Sequence, residues 1–412
     1  MLCLVLNRRK ILHRLKDWIP NSKENIVVFT AKSALPDSGA SDLASHFRHF
    51  EVIDAYDGPD AESRIAELCR LYPVRRIVTT AEVDVIRAAI IREKLSISGQ
   101  SVASATSYRD KFVMKSLVRK AGIPTAAMMV VDQAASLYDF ADMHGYPIVI
   151  KRIRGAGSVG MRVIKVESDL HSFVASRELS RKPRELLAEA WIAGAPYQVN
   201  GLMRNGMIIQ CWPTRALYSD WQMIDEFRPG VTGMIPESHH LFDALQQTTA
   251  AVIASLPPCG DTLPFHAEFF HTSNDQLILC EIACRASGGK VVEMHEKAFG
   301  VNLYEVTVKS QSCADYDPPS VEPLGRYGFA SFTPRPGILR RLPEKCTLPS
   351  AVEYWRYGIE GKRYEGAKSM GVTVAQLLFS LSSLHVEHEL RAIERWWQSE
   401  EAWVEAPRPE PI

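Results

Sequence analysis

Two glutamates on neighbouring strand-like segments are the first residues whose spacing predicts chemistry. The segment Thr272–Asp275 consists of turn-forming residues between two apolar runs, which predicts a β-hairpin. If its turn is centred on Asn274 and Asp275, Glu268 and Glu281 face each other across the two strands. Opposed carboxylates are destabilising unless a cation compensates them, and carboxylate oxygens suit Mg²⁺, with Mn²⁺ as an alternative ion. The competing interpretation is a pair of solvated surface glutamates.

A glycine-rich segment between two further strand-like runs is the second candidate. Gly155, Gly157 and Gly160 form the pattern G-x-G-x-x-G, which includes Ser158. β-Branched residues follow the last glycine, so the pattern predicts a hairpin with a flexible flap and not a dinucleotide-binding turn that leads into a helix. Glycines allow backbone N–H groups to turn toward an anion. The missing Gly-Lys-Ser/Thr excludes a P-loop, and the missing His-Arg-Asp and Asp-Phe-Gly exclude a protein kinase.

A lysine on the first strand of this hairpin favours a nucleotide lid. Lys151 shares a strand face with Val149 and Ile153, so its ammonium group lies between two apolar side chains. An unpaired ammonium buried there is costly, and a phosphate group would remove that cost. The alternative is an ordinary hairpin with a solvated lysine whose stem covers apolar surface.

The first 105 residues alternate strand and helix, which predicts a parallel sheet with helices on its faces. The predicted strands are Cys3–Leu6, Ile26–Phe29, Glu51–Ile53, Arg76–Thr79 and Ser96–Ser98. The predicted helices include Ser41–Phe50 and Ala61–Leu71. Glu82 follows the fourth strand, at the sheet edge where ligands gather in such folds. The alternative, given equal weight, is that Glu82 has no ligand and lies at the N-terminus of a helix, where the helix dipole favours a negative charge.

Three further regions follow the parallel sheet. Residues 106–192 predict a small α+β unit that contains the flap, residues 193–315 an antiparallel region, and residues 316–412 an α/β extension. Predicted helices in these regions are Phe112–Ala121, Ala134–His144, Ser168–Ser180 and Leu241–Leu256. His239 and His240 precede the last of these helices and are interpreted as loop or surface histidines.

Composition limits the classes of partner. The chain has 412 residues with 48 basic and 48 acidic side chains, so nothing predicts a nucleic-acid or acidic-membrane surface. No apolar run approaches the length of a membrane span. The eight cysteines form no C-x-x-C pair and indicate reduced thiols in a cytoplasmic protein. The aromatic-rich segment Leu390–Trp403 could supply the interface of a homodimer.

Together these motifs resemble the ATP-grasp superfamily. The resemblance covers about residues 1–310 and depends on the flap lysine, the strand exit Glu189-Ala-Trp-Ile192, and the glutamate pair that ends in Glu281-x-x-x-Arg285. It implies an α/β and α+β architecture: an N-terminal parallel-sheet domain, a small lid subdomain and an antiparallel C-terminal subdomain. Two positions depart from the family pattern, because Pro196 replaces a ribose-binding glutamate and Ala283 replaces a third metal ligand.

The resemblance also implies roles for individual residues. Lys111 of Arg-Asp-Lys and Lys151 would hold the nucleotide phosphates under the flap. Glu189, with the backbone of Ala190 and Ile192, would form the adenine-binding linker. The remaining implied residues are the Mg²⁺ ligands Glu268 and Glu281 and a phosphate- or carboxylate-binding arginine, Arg285.

Within the superfamily, the chain most resembles the carboxylate–amine ligases that join amino acids. The resemblance depends on Gly288-Gly289, the apolar helix that enters Phe299-Gly-Val-Asn-Leu, and Phe332-Thr-Pro-Arg-Pro-Gly337. It implies that a carboxylate attacks the γ-phosphate of ATP, that ADP leaves an acylphosphate, and that an amine then displaces phosphate. Glu82 could then pair with a substrate amino group. The alternatives are a biotin-carboxylase-like enzyme, a purine-pathway enzyme, or an inactive ATP-binding regulator.

Overall fold

Four parallel strands form the N-terminal sheet. They are β1 (Cys3–Asn7), β2 (Ile26–Ala31), β3 (His49–Ile53) and β4 (Arg76–Thr79), in the order β3–β2–β1–β4. The computed structural model describes residues 1–36, 41–176, 184–313, 316–319 and 322–405. The helices that follow these strands are α1 (Leu12–Trp18), α2 (Ser22–Asn25), α3 (Ser41–Ala44), α4 (Pro59–Leu71) and α5 (Asp84–Lys94). The predicted parallel sheet is confirmed.

Two local predictions in this region are wrong. Ser96–Ser98 is not a strand but part of the turn after α5, because side chains already occupy the free edge of β4. Arg92 donates to the carbonyl of Ile77 at 2.5 Å, and Gln311 bonds both the N–H and the carbonyl of Thr79 at 3.1 and 2.8 Å. The predicted helix Ser41–Phe50 ends at Ala44, since residues 49–53 pair with β2.

The lid subdomain is a four-stranded antiparallel sheet. Its strands are β5 (Met128–Val131), β6 (Ile148–Arg152), β7 (Arg162–Ile164) and β8 (Leu186–Ala190), in the order β5–β8–β6–β7. Its helices and those leading into it are α6 (Val102–Arg109), α7 (Lys111–Lys120), α8 (Ala134–His144) and α9 (Glu167–Ala175). The glycine-rich segment therefore joins two antiparallel strands, as predicted. The last residues of the predicted helix Ser168–Ser180 lie outside the described residues.

An eight-stranded antiparallel sheet forms the centre of the remaining chain. Its strands, in chain order, are β9 (Gly194–Arg204), β10 (Met207–Ala216), β11 (Gly230–Met234), β12 (Leu263–Thr272), β13 (Leu277–Ala283), β14 (Arg326–Phe332), β16 (Ala351–Arg356) and β18 (Ala375–Leu381). A smaller sheet contains β15 (Pro336–Arg341), β17 (Arg363–Glu365) and β19 (Ala402–Glu405). Because β14, β16 and β18 continue the large sheet, the C-terminal extension shares its core with the antiparallel region.

In the part of the chain that the structure describes, five helices accompany these sheets. They are α10 (Asp220–Asp225), α11 (Phe242–Ser255), α12 (Val291–Phe299), α13 (Leu303–Ser312) and α14 (Val386–Glu400). Helix α13 packs against β4 and α1, and its Val308 joins the core of the N-terminal sheet. Trp396 and Trp397 of α14 are buried in the core of the large sheet, so they are not available to a second copy, contrary to the interface prediction. Among the described residues, no helix combines the length and apolarity needed to cross a membrane.

Candidate active site

The two predicted carboxylates do face each other. Glu268 on β12 pairs with Glu281 on β13, whereas the next pair is Phe269 with Leu279, so Cys280 forms a bulge beside Glu281. Lys111 lies 2.9 Å from Glu281, and His266 contacts Glu268 at 2.8 Å through Nε2. Burial opposes ionisation of Glu281, but Lys111 and then Lys151 outweigh it and hold the pKa of Glu281 well below its usual range.

A third carboxyl group, which the sequence did not single out, lies near this pair. Asp220 begins α10, and burial followed by the charges of Glu268 and Glu281 raises the pKa of Asp220 to about 8. Across the described residues, no three His, Cys, Asp or Glu side chains are placed to hold a metal ion by themselves. Two facing glutamates nevertheless fit Mg²⁺, because this ion keeps several waters and commonly takes its other ligands from substrate phosphates.

Glu189 lies between two lysines and is almost fully buried. Its two carboxylate oxygens are 2.5 Å from Lys115 and 2.8 Å from Lys151, and the side chain of Lys115 is 0% exposed. Burial would raise the pKa of Glu189, but Lys115 and Lys151 lower it, so the group is ionised. The ammonium of Lys151 is thus held by a carboxylate at the root of the flap, not solvated as in the alternative interpretation.

The linker after β8 presents mainly backbone groups. The N–H of Ala190 donates to the carbonyl of Ala127 at 2.9 Å, so this N–H is already used within the lid. Ile192 is half-buried, and Trp191 packs edge-on against Trp221 with ring centroids 5.6 Å apart. The side chain of Glu189 points to the lysines, which leaves carbonyls and the Ile192 backbone as the groups that could meet an adenine ring.

The flap is folded down over the site. Its Gly155 carbonyl accepts from the ammonium of Lys111 at 2.8 Å, and its Gly157 carbonyl accepts from the N–H of Met370 at 3.2 Å. Ser158 lies 3.3 Å from Asp220. Gly157 and Gly160 have φ angles of 61° and 75°, in the left-handed region that favours glycine. The positive φ angles therefore explain why glycine occupies positions 157 and 160, whereas the φ angle of Gly155 does not require glycine.

Glu82 and Arg285 lie together, although they are 203 residues apart in the chain. Arg285 donates to one oxygen of Glu82, and Arg109 donates to the other at 2.9 Å. Burial opposes ionisation, but Arg285 and Arg109 lower the pKa of Glu82. Because both oxygens are bonded to guanidinium groups, we expect Glu82 to position Arg285 and not to receive a substrate ammonium group as the sequence suggested.

Four residues of the site were missed by sequence reasoning: Arg109, Lys115, Asp220 and His266. Two of them had a local signal. Lys115 follows Lys111 by one helical turn, and His266 precedes Glu268 by two residues on the same strand face. Asp220 had no local signal, because only the tertiary fold brings α10 to the carboxylate pair.

Comparison with known proteins agrees with this geometry. Residues 116–292 match the ATP-grasp domain, so the chain contains an ATP-grasp domain, and the sequence predictions of this architecture and of an ATP-grasp ligase are confirmed. The matched range contains Lys151, Glu189, both facing glutamates and Arg285, and Lys111 lies just before it.

Individual relatives cover nearly the whole chain. The chain is 24% identical over 393 residues to an L-arginine-specific L-amino acid ligase of Bacillus subtilis, with 92% of each chain covered. An L-amino acid ligase structure from Bacillus licheniformis matches with a TM-score of 0.73 at 15% identity, covering 98% of each chain. A carboxyaminoimidazole ribonucleotide synthase from Aspergillus clavatus, solved with ATP, matches with a TM-score of 0.69 at 16% identity, covering 97% of this chain and 98% of that one.

Proposed function

We propose that this protein is an ADP-forming ligase that joins a carboxylate to an amine, with amino acids as the substrate class. The observation that supports it best is a cluster of positive charge around the facing carboxylates: Lys111 bonds Glu281 at 2.9 Å. The charges of Lys151 and Arg285, which are bonded to other carboxylates, also lower the pKa of Glu281. Such an arrangement can neutralise the charge that develops on a transferring phosphoryl group. The full-length similarity to an L-amino acid ligase supports amino acids as substrates.

Two chemical steps account for the reaction. A carboxylate oxygen of the first substrate attacks the γ-phosphorus of ATP, and the bond to the ADP oxygen breaks. The nitrogen of the second substrate then attacks the acyl carbon, phosphate leaves, and the nitrogen loses a proton. Glu268 and Glu281 would hold a Mg²⁺ ion, which would supply positive charge to the phosphate oxygens.

The chain's own residues supply binding, orientation and exclusion of water. Lys111 and Lys151 each hold a carboxylate in this structure, and ATP phosphates would offer them new partners. Arg285, fixed by Glu82, would orient a substrate carboxylate or the acylphosphate through a bidentate contact. The closed flap would keep water from the acylphosphate, which protects it from hydrolysis.

The test is a matrix of L-amino acid pairs incubated with ATP and Mg²⁺. We expect phosphate release that requires a particular pair, with one amide product and one ADP per phosphate. Arg285→Ala should lose this activity, whereas the exposed Arg395→Ala should keep it. Nucleotide binding without phosphate release for any pair would contradict the proposal and support an ATP-binding regulator.

A second candidate is a ligase that activates bicarbonate. The fold similarity to the carboxyaminoimidazole ribonucleotide synthase favours it. The excess positive charge of Arg109 and Arg285 over Glu82 would also suit an inorganic anion. Phosphate release that requires bicarbonate and no amino acid would support this candidate over the first.

A further inference from the structure

The large sheet has a second face, opposite the one that carries the two facing glutamates. Glu268 pairs with Gln198, and Gln198 pairs with Thr214, so these side chains share the face that carries the carboxylates. Tyr197 and Arg215 pair with each other one position away along the same strands. Because successive side chains of a strand alternate between faces, Tyr197 and Arg215 point away from the carboxylates.

A cavity of about 200 Å³ lies against this opposite face. One wall comes from β9, β10 and the loop before α11, and the other from the first turn of α14. The residues that line it are Tyr197, Arg215, His239, Leu384, His385, Val386 and Glu387. The sheet therefore separates the cavity from the candidate active site.

Arg215 brings a buried positive charge to the cavity. The residue is 9% exposed, and its Nη1 donates to the carbonyls of Pro196, at 3.0 Å, and Ala216. Its guanidinium carbon lies 5.2 Å from the ring centroid of Tyr197, but no carboxylate of the described residues lies within 4 Å. Burial lowers the pKa of Arg215, which reflects the cost of this unpaired charge. A bound anion would remove that cost.

Further donors surround the guanidinium group. Tyr197 is 6% exposed, yet its hydroxyl has no hydrogen-bond partner among the described residues. His239 accepts a bond from the N–H of Leu241 through Nδ1 at 3.2 Å, so its Nε2 carries the proton of the neutral ring. No side chain caps the N-terminus of α14, whose backbone N–H groups favour negative charge.

The same cavity contains one acidic group, Glu387. Its partner in the structure is Arg391, at 3.5 Å on the exposed side of α14, and not Arg215. The cavity thus holds a cation and an anion that are not bonded to each other. A ligand with a carboxylate and an ammonium group could pair with both, while Leu384 and Val386 offer apolar contact for a small side chain.

We propose that this cavity binds a small α-amino acid. Arg215, Tyr197 and His239 receive its carboxylate, and Glu387 receives its ammonium group. The site is separate from the reacting centre and goes beyond the proposed ligase activity. An amino acid would thus be bound on the face of the large sheet that is opposite the candidate active site.

Hydrogen exchange on the full chain tests the proposal, with L-alanine, acetate, methylamine and phosphate as probes. L-Alanine should slow exchange over residues 236–241 and 384–391 without requiring ATP. Glu387→Gln should weaken L-alanine binding by about tenfold or more and leave acetate binding unchanged, because only the ammonium contact is lost. Arg215→Met should remove the response to both L-alanine and acetate, and the control Arg395→Met, at an exposed position of α14, should remove neither response.

Two results would overturn the proposal. One is slower exchange confined to active-site segments such as residues 154–161, which would locate L-alanine only at the reacting centre. The other is an equal response of wild type, Glu387→Gln and Tyr197→Phe. Tyr197→Phe removes a single hydroxyl group, so it remains informative if Arg215→Met disturbs the backbone contacts at Pro196. Turnover with amino-acid pairs is measured separately, so failure here leaves the ligase proposal standing.

Discussion

Replacing Glu189 by glutamine should strongly destabilise the lid subdomain. Glu189 is 4% exposed and bonds Lys115 at 2.5 Å and Lys151 at 2.8 Å, and Lys115 has no exposed side-chain surface. Glutamine keeps the shape but removes the charge, which leaves the ammonium of Lys115 buried without a counter-ion. Breaking one partner of a buried ion pair costs about 3–5 kcal/mol, so we expect a loss of this size in the free energy of unfolding at pH 7.

Urea denaturation followed by circular dichroism measures this loss. Burial already lowers the pKa of Lys115 in the wild type, and the coupling to Glu189 opposes that shift. In Glu189→Gln the burial and the neighbouring charge of Lys151 remain, so the penalty is largest while the folded protein keeps Lys115 protonated and shrinks as pH rises from this lowered pKa toward the ordinary lysine value. The deficit should therefore shrink between pH 7 and pH 10.

A double variant separates charge from shape. Lys115→Met combined with Glu189→Gln leaves no uncompensated charge on the Lys115 side and should recover most of the lost stability. Lys151 is 12% exposed at its side chain and keeps the nearby charge of Glu281, so it depends less on Glu189 than Lys115 does. Wild-type stability in Glu189→Gln alone, or no recovery in the double variant, would refute the reasoning.

Three further outcomes are expected. Lys151→Met should weaken ATP binding by about 1.5–3 kcal/mol in calorimetry, through loss of a charge-assisted bond, whereas the exposed Lys23→Met should bind normally. Glu281→Gln should abolish Mg²⁺-dependent phosphate release; normal turnover would remove Glu281 from the metal site. Burial raises the pKa of Asp84 to about 7, so wild-type stability should fall as pH rises from about 4 to about 7, where the folded state binds more protons than the unfolded state. Asp84→Asn should reduce this fall in urea melts at pH 5 and pH 8 and leave the part due to the raised pKa of Asp220, and an unchanged pH slope would contradict the assignment.

Much of the site could be predicted because its signals are local. The turn residues near Asn274 and the period of two along each strand were sufficient to predict the hairpin, but the pairs nearest the turn, such as Phe269 with Leu279, lie one residue out of the predicted register. The bulge at Cys280 was not predicted, although it sets the final pairing, because nothing in the sequence around it differs from a regular strand. The glycine flap was predicted in the same way, from β-branched residues after Gly160.

The remaining features depend on residues that are distant in the chain. The strand predicted at Ser96–Ser98 is wrong because the side chain of Gln311, in α13, bonds the free edge of β4. Nothing in the sequence around Gln311 indicates this contact. The interpretation of Glu82 changed for the same reason, since its bond to Arg285 spans 203 residues. Local sequence predicts which groups are available, and the tertiary fold decides which of them neutralise one another.

Helix α13 also has a consequence for how the chain is made. The contact between Thr79 and Gln311 spans 232 residues, and Val308 completes one core of the N-terminal sheet. At a synthesis rate of about 5–20 residues per second, roughly 10–50 s pass between the emergence of β4 and that of its covering helix. During this interval the apolar face that contains Val5 and Val78 packs against α1 but lacks Val308, so we expect part of its surface to stay exposed to chaperones. The N-terminal sheet would thus complete its core only after the strands that carry Glu268 and Glu281 have been synthesised.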